Sequence, residues 1–147
     1  MDPDRSVHVV ADEMVFPNGT VLLDEGHTLV VAETLAMRLT AFDIADNGDL
    51  SNRRVWADLS SQFVAPDGIA VDASGNIWVA NAAGPEAVLV GDGGAIHRRV
   101  STSQNCYAVA VGDDGATLIC CTAPTSHAGE LAGTTDGKIE FVGLTGS

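Results

Sequence analysis

One short pattern occurs three times in this chain, and it constrains the fold more than any other feature. Phe16-Pro17-Asn18-Gly19 leads into the run Thr20-Val21-Leu22-Leu23. Pro66-Asp67-Gly68 leads into Ile69-Ala70-Val71, and, more loosely, Gln104-Asn105-Cys106 leads into Tyr107-Ala108-Val109-Ala110. Each run ends at a turn: Asp24-Glu25-Gly26, Ser74-Gly75-Asn76 or Asp113-Asp114-Gly115. A second apolar run follows each turn, as in Ile77-Trp78-Val79-Ala80.

Short strands repeating every roughly 40 to 50 residues are the signature of a radial array of blades, a β-propeller. The expected fold is therefore all-β, a single domain over residues 1–147 with about three four-stranded blades. The blades are expected at 18–59, 67–100 and 105–143. Asp46-Asn47-Gly48-Asp49 supplies an Asn-Gly hairpin in the first. The third shows only three strands, at 107–111, 117–121 and 138–142, around a Pro/Ser/Thr/Gly-rich loop at 122–137. Residues 6–11 read as an orphan outer strand that would complete it by pairing with 138–142. No stretch has a helical period. Inner strands line a propeller's channel, so Asn18, Asp67 and Asn105 can converge there.

The bulk numbers narrow the function. A net charge of −13 over 147 residues excludes the basic footprint of nucleic-acid binding and favours cations. No apolar run reaches membrane-span length, and Met1-Asp2-Pro3-Asp4-Arg5 has no apolar signal region. A cytoplasmic protein without membrane partners is expected. Cys106, Cys120 and Cys121 lack metal-ligand spacing and read as buried free thiols, with Cys120 and Cys121 on opposite faces of one strand. His8, His27, His97 and His127 show no ligand spacing either. Trp56, Trp78 and Tyr107 read as packing residues, and Glu33 as a loop carboxylate.

Phe16-Pro17-Asn18-Gly19, Leu50-Ser51-Asn52-Arg53-Arg54-Val55, Pro66-Asp67-Gly68 with Gly75-Asn76-Ile77-Trp78-Val79, and the ending at Lys138-Ile139-Glu140 stand here in one order. This combination resembles the gluconolactonase/senescence-marker-protein (regucalcin-like) family, over nearly the whole chain but only the C-terminal half of the family's fold. The resemblance implies a six-bladed propeller that hydrolyses sugar and related lactones with one divalent metal, whose bound water attacks the lactone. It carries two family metal ligands onto Asn18 and Asp67. The family's third ligand, a Glu, and its substrate-contacting Arg and Asn have no counterpart among these residues.

An amide oxygen and a carboxylate are hard donors suited to Ca²⁺ first, with Zn²⁺, Mg²⁺ or Mn²⁺ as alternatives. Asp67 can also act as a general base beside the attacking water. Asn105, at the equivalent repeat position, is expected to line the substrate channel. The competing role for Asn18 and Asp67 is purely conformational, as turn residues before glycine. Two other readings of the whole stand beside the hydrolase: a non-catalytic half-propeller that binds a metal or small molecule, and a strictosidine-synthase-like propeller.

Three blades leave two open faces, and propellers close with about four to eight. A homodimer that completes a six-bladed ring around a two-fold axis is therefore expected.

Overall fold

The computed structural model describes residues 6–145, so the N-terminal Met1 to Arg5 segment lies outside the described residues. Three antiparallel sheets follow one another along the chain. The first contains β1 (Pro17–Leu23), β2 (Thr28–Glu33), β3 (Arg38–Ile44) and β4 (Leu50–Asp58), in that spatial order. The second contains β5 (Pro66–Val71), β6 (Ile77–Asn81), β7 (Glu86–Val90) and β8 (Ile96–Ser101). The third contains β9 (Asn105–Val111), β10 (Thr117–Ala123) and β11 (Lys138–Gly143). These are the blades of a β-propeller, and the fold class read from the repeat is correct. A single helical turn, α1 (Ala128–Leu131), interrupts the loop between β10 and β11. Among the described residues no helix is long and apolar enough to cross a membrane.

Two cores hold the sheets face to face, and β6 shows why its sequence is apolar throughout. Its side chains alternate between faces. Ile77 and Val79 join Val30, Leu39, Trp56 and Leu59 between the first two sheets. Trp78 and Ala80 join Val100, Cys106, Leu118 and Cys120 between the second and third. All five residues of β6 are buried. Trp56 and Trp78 are core aromatics, as their sequence context indicates. Cys106 and Cys120 are buried free thiols, but Cys121 is exposed, because its strand turns it to the open face of the third sheet.

The inner strands β1, β5 and β9 lie side by side, β1 against β5 and β5 against β9. Their backbones meet at glycines. A methyl group on Gly19 would lie 2.5 Å from the carbonyl oxygen of Asp67 and 2.7 Å from the amide nitrogen of Ile69. One on Gly68 would lie 2.8 Å from Cα of Ala108. Real side chains do not tolerate such distances from backbone, so only glycine admits this approach.

The expected outer strand at 6–11 is corrected by the structure, where this segment is irregular. Val7 and Val9 are 99% and 80% exposed, so the segment buries too little apolar surface to be held as a strand. Its continuation is strapped across the outer face of the first sheet. Arg53 donates from its guanidinium to the carbonyl oxygens of Asp12 and Glu13, each at 2.9 Å. The strap therefore lies away from β11, which is an edge strand.

Gly68→Ala should destabilise the fold by about 1–3 kcal/mol, the usual cost of forcing extra atoms into a close-packed site. Gly75, in an exposed turn with open space around it but φ of 81°, should respond less to the same change. Urea midpoints of the two variants check this; equal shifts would contradict the close approach.

Candidate functional site

Each inner strand carries a β-bulge near its start. In the first sheet Pro17 pairs with Glu33 and Thr20 with Val31, which leaves Asn18 and Gly19 opposite one residue. In the second, Pro66 pairs with Asn81 and Ile69 with Val79, so Asp67 and Gly68 form the bulge. In the third, Cys106 pairs with Thr122 and Ala108 with Cys121, and Tyr107 is the extra residue. Bulges re-aim side chains out of the regular alternation. Here they aim Asn18, Asp67 and Tyr107 at a single cavity of about 550 Å³.

The structure thus brings Asn18 and Asp67 together and leaves Asn105 out of the lining. Asn105 sits at the first position of β9, opposite Ala123. Tyr107, read from sequence as packing, lines the cavity instead. The bulge register decides which residue faces in, and no residue pattern announced it. Thr34 and Ser126 complete the polar lining, and Phe16, Leu35, Ala65, Ala82 and Ala83 the apolar part.

Two buried polar residues hold the loops that shape this cavity, and both close a second strand. Glu33 is a buried residue of β2 rather than a loop carboxylate. It accepts hydrogen bonds from Arg38 Nε at 2.9 Å, from the Thr40 hydroxyl and from the Val15 amide. Burial alone would raise its pKa. The donated hydrogen bonds and the Arg38 charge outweigh that effect and hold the carboxyl at about 2. Asn81, 2% exposed, is its counterpart in the second sheet. Its Oδ1 accepts from the amides of Ala65 and Ala83, and its Nδ2 donates to Glu86. These anchors fix Thr34 and Ala82, the residues next along, as cavity walls.

Asp67 contrasts with Glu33. Burial raises its pKa, and no hydrogen bond or ion pair to it occurs among the described residues to offset that. A partly desolvated carboxylate beside an amide oxygen has the chemistry of a hard-cation half-site. No cluster of three or more His, Cys, Asp or Glu able to hold a metal exists among the described residues. Asn18 and Asp67 supply two hard oxygen donors to the cavity lining. Among the described residues no Lys, Arg or His lines the cavity.

Comparison with known proteins gives a consistent frame. A family model described as SMP-30/Gluconolactonase/LRE-like region matches residues 1–124. Regucalcin of Danio rerio is 32% identical over 81 residues, covering 54% of this chain and 28% of its own length. A gluconolactonase from Xanthomonas campestris superposes with a TM-score of 0.71 at 26% identity, over 84% of this chain and 40% of that one. A luciferin-regenerating enzyme shares the fold, with a TM-score of 0.80 at 19% identity over 96% of this chain and 49% of that one. The chain thus spans about half the length, or less, of the proteins it matches.

The Glu33 geometry makes a pH prediction. A carboxyl held at about 2 against an ordinary 4.5 contributes about 3 kcal/mol, taking about 1.4 kcal/mol per pKa unit. That stability is fully present above pH 4.5 and is lost as pH falls from there toward 2. Glu33→Gln should therefore be less stable than the parent at pH 7, and the gap should shrink steadily below pH 4.5. Urea midpoints measured across that range check it; a gap independent of pH would contradict it.

Proposed function

The chain belongs to the SMP-30/gluconolactonase/LRE-like family, and from that premise we propose that it hydrolyses a lactone in the cavity lined by Asn18 and Asp67. The observation that carries this reading is Asp67 itself. Its carboxylate is partly buried, lacks a compensating partner among the described residues, and is aimed by a bulge into the cavity. Burying such a group without a partner costs stability, and a ligand or cation that binds it offsets that cost.

Asn18 and Asp67 would hold a divalent cation, Ca²⁺ being the best match to an amide oxygen and a carboxylate. When bound, it supplies Lewis-acid polarisation of the lactone carbonyl. The chain's own residues supply the rest. Asp67 would accept the proton of the attacking water. The Asn18 amide orients the reacting group beside it. Ala65, Ala82 and Ala83 keep bulk water from part of the cavity, which strengthens each polar contact there.

δ-Lactone hydrolysis tests the reading. Asp67→Ala should lower kcat/KM by about a hundredfold or more, and a chelator should do the same reversibly in the parent. Turnover unaffected by both changes would contradict it and favour a non-catalytic binding module.

We further propose that a second copy of the chain covers the open face of the third sheet. On that face Ile139 pairs across the strands with Cys121, and Phe141 with Ile119. Ile139 and Phe141 are 70% and 72% exposed, while their neighbours Glu140 and Val142 turn inward. An apolar blade face of this kind resembles the faces already buried between the sheets, and a second copy would cover it. Light scattering should give about twice the 15.1 kDa chain mass, and Phe141→Asp should halve it. A parent of single-chain mass would contradict the assembly.

A further inference from the structure

β11 has one neighbour where its counterparts have two. The first two sheets each hold four strands, whereas the third runs β11-β10-β9 and holds three among the described residues. β10 pairs with β11 along one side, from Thr122 opposite Lys138 to Thr117 opposite Gly143. No strand flanks the other side among the described residues. Such an edge presents a row of unpaired amide and carbonyl groups, and it is a template for a further strand.

Residues 7–11 have the converse character. Val7-His8-Val9 alternates as a strand does, and both valines are exposed. The segment is held on the first sheet. Val10 and Ala11 share a small cavity with Phe42 and Leu50, and Arg53 binds the carbonyl oxygens of Asp12 and Glu13. The second sheet stands between that anchor and the third, with one core on each of its faces. Two sheet spacings take about 20 Å, and five extended residues span at most about 18 Å. The segment therefore falls short of the β11 of its own chain. A second copy is not limited in this way. The first sheet also offers it an apolar outer face: Leu22 and Val55 point away from the core that holds Val21, Leu23 and Trp56, and both are more than half exposed.

We propose that residues 7–11 of a second copy add to β11 as its fourth, antiparallel strand. This rests on the reading that a second copy covers the third sheet, and it names the segment that makes the contact. The side-chain pattern selects the register. Ile139 and Phe141 stand on the open face, and Glu140 between them turns inward. Val9 opposite Ile139 and Val7 opposite Phe141 extend the apolar face and set the His8 imidazole beside the Glu140 carboxylate, a favourable cross-strand set. A slip of one residue would turn both valines to the wrong face. Pairing gives the segment the apolar contact and ladder hydrogen bonds that it lacks in a single chain, and these offset the entropy of ordering it.

Isotope-filtered NMR on an equal mixture of labelled and unlabelled whole chain reads contacts between copies alone. Cross-peaks should link residues 7–10 of one copy to residues 138–141 of the other. Val7→Asp/Val9→Asp should weaken self-association by about tenfold or more, since two apolar side chains lose their burial. The same double substitution should leave the urea midpoint of the dilute single chain in place, because both valines are exposed there. Self-association without these cross-peaks, or with parent affinity in Val7→Asp/Val9→Asp, would overturn strand addition and leave the second-copy reading standing. A lowered urea midpoint in the dilute double variant would also overturn strand addition, because the valines would then pack within their own chain. A parent that stays single at NMR concentration would overturn both readings.

Discussion

The structure depends on how closely its inner strands approach one another. β1 lies on β5 at Gly19, and β5 lies on β9 at Gly68, with backbone where a side chain would otherwise stand. A radial array of sheets converges at its axis, so the innermost strands have the least room. Glycine at these two positions lets the strands close up. The residue before each glycine is then fixed at the mouth of the cavity. Fold and site therefore share one cause: the Asx-Gly pair is a bulge that both admits the neighbouring strand and aims a polar side chain inward.

Around that axis the chain uses polar burial in two different ways. Glu33 and Asn81 are buried and saturated with hydrogen bonds, and they stiffen the loops that follow β2 and β6. The Asp67 carboxylate lines the cavity with no partner among the described residues to offset its burial. Glu33 and Asn81 stabilise the fold, and the unpartnered Asp67 carboxylate costs it stability. Such a division is expected where rigidity is concentrated behind a site and unfulfilled bonding capacity is concentrated inside it.

Much of this was legible in the sequence, and the failures have identifiable causes. The repeat of apolar runs after Asn18 and Asp67 revealed the sheets, because strand alternation and turn chemistry are local properties. The third inner strand was misjudged at its site residue. Its bulge falls at Tyr107, and pairing register is a relation between two strands that neither one encodes alone. Residues 6–9 alternate polar and apolar as a strand does, yet alternation without a neighbouring sheet edge is not sufficient. The adjacent Asp12 and Glu13 carbonyls find Arg53 instead. Glu33 looked like an ordinary loop residue, since nothing local distinguishes a buried carboxylate with an arginine partner from a solvated one. The positive φ of Met37, 49° in the left-handed region, marks the tight turn that follows it, and it too is invisible until the backbone is known.

The central claim is that Asp67 is a partly buried carboxylate in need of a partner, and its own titration tests that most directly. Carbon-13 labelling of the aspartate side chains allows the Asp67 carboxyl to be followed against pH, with and without Ca²⁺. The account predicts a pKa above the ordinary aspartate range in the metal-free protein, because burial disfavours the charge. It predicts a clear downward shift when Ca²⁺ is added, because the cation stabilises the charged form. An ordinary pKa that does not respond to Ca²⁺ would contradict it.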